Sequence, residues 1–110
     1  MTDAVILAID QGTTNTKALL MEASGRILAR GSVSTGVRYP QPGWVEQDPH
    51  ELWQCTLEAI ARCLEGVHAS PTVIGISNQR ETTLIWERAT GQPLGPAVVW
   101  QCRRTTDFCE

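Results

Sequence analysis

An uninterrupted apolar run, Ala4-Val5-Ile6-Leu7-Ala8-Ile9, delivers the chain onto Asp10-Gln11-Gly12-Thr13-Thr14-Asn15-Thr16-Lys17, after which Ala18-Leu19-Leu20-Met21 is apolar again. The first run has the length and β-branched content of a strand covered on both faces. Ala23-Ser24-Gly25-Arg26 is a turn signal, so the spacing predicts a strand, a tight loop and a second strand. Gly12 lets the backbone turn with no side chain in the way, and the amides after it can converge on an anion. Thr13 and Thr14 add hydroxyl donors and Lys17 a positive charge. Asp10 offers Mg²⁺ an oxygen ligand, directly or through water. Together these groups fit a nucleotide's phosphates. A Walker loop needs glycine immediately before its lysine and a helix after it, whereas Thr16 and a strand pattern stand there. A plain hairpin with a polar turn also accommodates these residues, since threonine is common in strands.

The 110 residues suffice for one domain at most, and 42% hydrophobic with 19% charged residues is an ordinary soluble composition. No apolar run approaches the ~20 residues of a membrane span, and the N-terminus lacks the order of a signal peptide. A cytoplasmic location is expected. Cys55 and Cys63, like Cys102 and Cys109, are spaced neither as a zinc knuckle nor as a redox pair, so free thiols are expected. A net charge of -3 with scattered basic residues, Arg103-Arg104 apart, excludes a nucleic-acid footprint.

Further along, Ile27-Leu28-Ala29-Arg30-Gly31-Ser32-Val33 reads as a third strand weakened by Gly31, and Pro40, Pro42 and Gly43 then break regular structure. Two aromatics among rigid turn residues, Tyr39 and Trp44, mark an ordered loop in which Trp44 packs. Asp48-Pro49-His50-Glu51 is a helix start, with Asp48 as N-cap, Pro49 at the first helical position and Glu51 reaching back in a capping box. Leu52, Trp53, Thr56, Leu57, Ile60, Cys63 and Leu64 follow at helical spacing, with Gly66 as the stop. Thr72 to Ser77 reads as a buried strand, Thr82 to Trp86 as another, and Ala97-Val98-Val99-Trp100 as a short apolar run before what could be a helix's first turns. The order β-β-β-α-β suits a mixed α/β sheet with a flanking helix. No internal repeat or low-complexity segment is evident.

Several of these stretches carry a resemblance. Asp10-Gln11-Gly12-Thr13-Thr14, Tyr39 to Pro49, Gly75-Ile76-Ser77-Asn78-Gln79-Arg80-Glu81-Thr82-Thr83 and Val98 to Thr105, in that order, resemble the opening of FGGY carbohydrate kinases, in particular those acting on glycerol. The resemblance spans nearly the whole chain. It implies an incomplete ribonuclease H-like domain of the actin and hexokinase type, with the rest of that domain and a second domain lying outside residues 1–110. It places Asp10 at Mg²⁺, Gly12, Thr13, Thr14, Asn15 and Lys17 around the phosphates of ATP, and Arg80 with Glu81 on the polyol's hydroxyls. Trp100 takes the place of a pocket-wall aromatic. Lysine stands at 17 where these kinases usually carry arginine, keeping the charge but not the fork, and asparagine stands at 15 in place of serine.

The activity so implied is ATP-dependent phosphorylation of glycerol to sn-glycerol 3-phosphate, with a homo-oligomer expected of the full-length protein. The catalytic base and adenine pocket are expected beyond Glu110, so the chain alone is expected to be inactive. Read without the resemblance, Arg80 and Glu81 make a local ion pair between two strands. The alternatives are a kinase for another polyol or sugar, such as xylulose or erythritol, and a non-catalytic actin-like nucleotide-binding module.

Overall fold

A computed structural model describes residues 4–109. Strands β1 (Val5–Gln11), β2 (Asn15–Glu22) and β3 (Ile27–Ser34) form an antiparallel meander. The two-residue strand β4 (Glu46–Gln47) precedes helix α1 (Pro49–Leu64), which crosses over to β5 (Val73–Asn78), parallel to β1. The sheet order is β3-β2-β1-β5, the mixed arrangement expected from the element order. A second, two-stranded ladder joins β4 to β6 (Ala97–Val98), and α2 (Thr106–Cys109) ends the described chain. Among the described residues, no helix is long and apolar enough to cross a membrane.

Period-two alternation sorts the side chains of the meander. Leu7 and Ile9 from β1 with Ala18 and Leu20 from β2 form the apolar core together with Ala59 and Cys63 of α1, and the buried Thr16 hydroxyl is satisfied by that of Thr35 at 3.1 Å. The helix starts as its sequence dictates. Asp48 Oδ1 accepts the amide of His50 at 2.9 Å with Pro49 in the first turn. Gly66, at φ 71°, follows the last turn, where the Val67 amide reaches the Leu64 carbonyl at 3.1 Å.

Four expectations need correction. Glu51 does not close a capping box but lies 3.9 Å from the Arg38 guanidinium, which also pairs with Asp48. The buried stripe of α1 is Cys55, Ala59 and Cys63, while Trp53 is 59% exposed and Leu57 also faces out. The reason is close approach: the helix contacts β3 through Gly31, so its contact line runs through small residues. The third correction concerns β5, which forms where expected but is exposed along its length, Ile76 to 72%. Helix α1 packs mainly on β2 and β3 and leaves β5 open; β1 buries Leu7 and Ile9 on the helix side and is covered on that face only. The radius of gyration, 16.7 Å, accordingly exceeds the about 13 Å of a compact chain of this length. Finally, Thr82 to Trp86 is not a strand: Thr83 bridges to Val98 and Trp86 to Pro93, each in isolation. The partner strand β6 is only two residues long, and the left-handed Glu81, at φ 64°, turns the chain just before Thr82.

Candidate active site

Strands β1 and β5 end side by side, Gln11 opposite Asn78, and the Gln79 amide adds one more rung by donating to the Gln11 carbonyl at 2.9 Å. Each strand then releases a polar loop at the same sheet edge. The β1–β2 loop closes through the Gly12 amide, which donates to the Asn15 carbonyl at 2.9 Å. A β-carbon on Gly12 would stand 2.9 Å from that same oxygen, which explains the glycine. Its amide is therefore consumed by the turn. Those of Thr13 and Thr14 have no partner among the described residues, and the Thr14 carbonyl is held by the Thr35 amide at 2.8 Å.

Asp10, Gly12, Thr13, Arg80, Glu81 and Trp100 line one cavity of about 500 Å³, together with Asn78 and Gln79. Thr14, Asn15 and Lys17 do not. Thr14 and Asn15 are exposed at the turn, where Asn15 Nδ2 donates to the Thr14 hydroxyl at 3.3 Å. Lys17 sits directly across from Asp10 in the β1–β2 pair, on the sheet face away from α1. There it lines a second groove of about 620 Å³ with Asp10, Leu19, Arg30 and Ile76. Asp10 is the residue common to both grooves.

The charged side chains of the cavity are uncommitted. Among the described residues, Asp10, Arg80 and Glu81 make no side-chain hydrogen bond or ion pair, so the ion pair between strands is absent. Glu81 holds a positive φ, 64°, a conformation that costs a non-glycine residue about 1–3 kcal/mol and concentrates at ligand clamps. A single exposed carboxylate such as Asp10 fits Mg²⁺, which keeps several waters and takes one or two protein carboxylates besides phosphate oxygens.

Sequence reasoning missed the amides that brace these groups. Gln79 Nε2 donates to Gln11 Oε1 at 3.3 Å and to Gln47 Oε1 at 2.8 Å. Its Oε1 accepts from the hydroxyls of Thr82 at 2.7 Å and Thr13 at 3.3 Å. Gln47, fully buried, in turn donates to the Thr13 carbonyl at 2.8 Å. Trp100 Nε1 donates to Thr13 Oγ1 at 3.0 Å, leaving the indole half-exposed in the cavity wall. The Thr13 hydroxyl is thus spent inside the protein, and only its backbone amide remains for an anion. Glutamine at the ends of β1 and β4, positions 11 and 47, and one residue past β5, position 79, was the available signal.

Behind this network Arg104 stacks on Trp44, 3.9 Å from the ring centroid, pairs with Glu46 and donates from Nε to Cys102 Sγ at 3.0 Å. Burial alone would raise the Cys102 thiol, but hydrogen bonds with the Val45 backbone and Arg104 outweigh it and lower its pKa. Burial raises Cys55, helped by Glu51 and Glu58, and burial raises Cys63 despite a backbone hydrogen bond with Leu20. Because the thiolate is the nucleophile, Cys102 is expected to alkylate faster than both helix cysteines at pH 7. Peptide mapping after a brief iodoacetamide pulse checks the order.

Residues 5–110 match the N-terminal domain of the FGGY family of carbohydrate kinases. The glycerol kinase of Chromobacterium violaceum is 50% identical over 113 residues, covering all of this chain and 23% of that protein. The glycerol kinase of Bordetella pertussis is also 50% identical, covering 96% of this chain and 21% of its own. The crystal structure of Plasmodium falciparum glycerol kinase with ADP superposes with a TM-score of 0.88 at 33% identity, over 96% of this chain and 22% of that one. The chain thus spans less than a quarter of the length of these relatives. The mixed sheet and flanking helix are those of the family's solved structures. This chain belongs to the FGGY family of carbohydrate kinases.

Proposed function

We propose that the protein carrying this chain transfers the γ-phosphoryl group of ATP to a terminal hydroxyl of glycerol, giving sn-glycerol 3-phosphate. One observation carries the reading: Arg80 and Glu81, both without a protein partner among the described residues, share a cavity with Asp10 and the Gly12-Thr13 turn. A polyol hydroxyl both donates and accepts. Arg80 supplies donors, Glu81 an acceptor, and each charge-assisted bond contributes about 1.5–3 kcal/mol. Trp100 covers the carbon side of the small acceptor.

At the other wall the amides of Thr13 and Thr14 face the phosphates, with Asn15 and Lys17 as further polar and positive groups at the turn and on β2. Asp10 would hold Mg²⁺, whose charge neutralises phosphate oxygens during transfer. Phosphoryl transfer depends mainly on positioning and charge stabilisation, which suits two rigid strand ends. Residues 1–110 form, in this reading, the N-terminal part of the first kinase domain, and the remainder of that domain covers the apolar face of β5. In this reading the whole enzyme is a cytoplasmic homo-oligomer.

The test is a hybrid in which this chain replaces the matching segment of the Chromobacterium violaceum glycerol kinase. The hybrid is expected to form glycerol 3-phosphate from glycerol and ATP, and Trp100→Phe to lower kcat/KM for glycerol about tenfold by removing the Nε1 bond to Thr13 and part of the wall. A hybrid that folds, binds ATP and ignores glycerol would contradict the assignment.

A further inference from the structure

We infer that Gln79 is a positioning residue for the transfer, fixing the phosphate-binding turn against the acceptor-binding pair; this rests on the function proposed above. Its carboxamide has two N–H donors and two acceptor lone pairs, and all four are used. The donors go to Gln11 at the end of β1 and to Gln47 in β4. The acceptor sites take the hydroxyls of Thr13 in the turn and Thr82 just past Glu81. Gln47 returns to the turn by donating to the Thr13 carbonyl, so Gln79, Gln47 and Thr13 close a ring of hydrogen bonds. Gln47, itself in the buried β4 strand, also meets the turn and the segment before Arg80, but of the two glutamines Gln79 alone reaches Thr82 and Gln11 as well.

The ring also governs the cavity's third wall. Thr82 Oγ1 accepts the Trp100 amide at 3.3 Å, and Thr13 Oγ1 accepts the Trp100 indole N–H at 3.0 Å. Both hydroxyls aim their own hydrogens at Gln79 Oε1. One carbonyl oxygen thereby orients the two groups that hold Trp100. Gln79 has no need to touch either substrate. Its effect is on the distance between the donor and acceptor sites, to which transfer is steep: a misplacement of about 1 Å costs on the order of 10²-fold.

The experiment uses the hybrid enzyme. Gln79→Met keeps the length and removes all four bonds, and kcat is expected to fall on the order of 10²-fold while KM for glycerol and for ATP each stay within about threefold. With kcat normalised to active enzyme by active-site titration, a role limited to holding the fold would leave kcat at the parent's value and lower only the melting temperature and the active fraction. A second pair of variants tests the same link more gently. Thr13→Val, which cuts the bonds to Gln79 and Trp100, is expected to slow kcat about tenfold, and Thr13→Ser, which keeps the hydroxyl, to restore it. A Gln79→Met enzyme with the parent's kcat, or a Thr13→Val enzyme as fast as Thr13→Ser, overturns the inference while the function stands. A parent hybrid without glycerol-dependent transfer overturns the function, and the inference with it.

Discussion

Gly31→Ala is expected to destabilise the fold by about 3 kcal/mol or more, the upper end of overpacking costs. A β-carbon at this position would come within 2.3 Å of the Ala59 carbonyl oxygen and 2.6 Å of the Cys63 amide nitrogen. Both are backbone atoms in the C-terminal half of α1, so no rotamer change relieves the clash and that half of the helix must retreat. Retreat would loosen Ala59 and Cys63 from Ala18 and Leu20, all of them essentially buried. Gly75→Ala is the control. It lies in β5, where an added β-carbon meets nothing within 4 Å, and it is expected to stay within about 0.5 kcal/mol of the parent. Urea unfolding of the two variants reads the difference directly; a Gly31→Ala midpoint equal to that of Gly75→Ala would mean that α1 does not sit on β3 at this distance.

The second large effect concerns chemistry. Arg80→Ala in the hybrid is expected to lower kcat/KM for glycerol by about 10²–10⁴-fold, equivalent to two charge-assisted hydrogen bonds of about 1.5–3 kcal/mol each. Arg80→Lys keeps the charge but loses the planar fork, so it is expected to recover only part of the loss. The melting temperature should hardly move, because Arg80 is exposed and has no protein partner to orphan among the described residues. Initial rates across glycerol concentrations, paired with thermal melts, separate the two effects. Arg80→Ala with the parent's kcat/KM would remove Arg80 from the acceptor site.

These two residues also show what is legible from a linear chain. Arg80 and Glu81 are legible as acceptor-binding residues only through the family resemblance, since their charges alone read as a local ion pair, and the cavity they share with Asp10 and Thr13 follows from two parallel strands ending together. The start of α1 is equally local, since Asp48 and Pro49 act within one turn. Gly31 is different. In one dimension it weakens a strand; in three it is the site where a helix backbone touches a sheet, a contact between residues 28 or more positions apart. The phase of α1 went astray for the same reason, because bulky Trp53 outweighs Ala59 in any hydrophobic pattern, yet the small residue decides which side approaches the sheet.

The glutamines were illegible for a related cause. Gln47 is polar and sits beside a helix cap, which suggests exposure, whereas its burial depends on Gln79 and the Thr13 carbonyl, both distant in sequence. The buried reading of β5 follows from its apolar composition. What leaves it open is that α1 lies across the other half of the sheet.

The central claim is that one cavity brings an acceptor polyol to a phosphate-binding turn, and calorimetric titration of glycerol into the parent hybrid, with and without Mg²⁺ and a non-hydrolysable ATP analogue, tests it most directly. Saturable glycerol binding that tightens when the nucleotide is present, and that Arg80→Ala abolishes, is the predicted result. Glycerol binding that is absent in both conditions, in a hybrid that still binds the nucleotide, would contradict it.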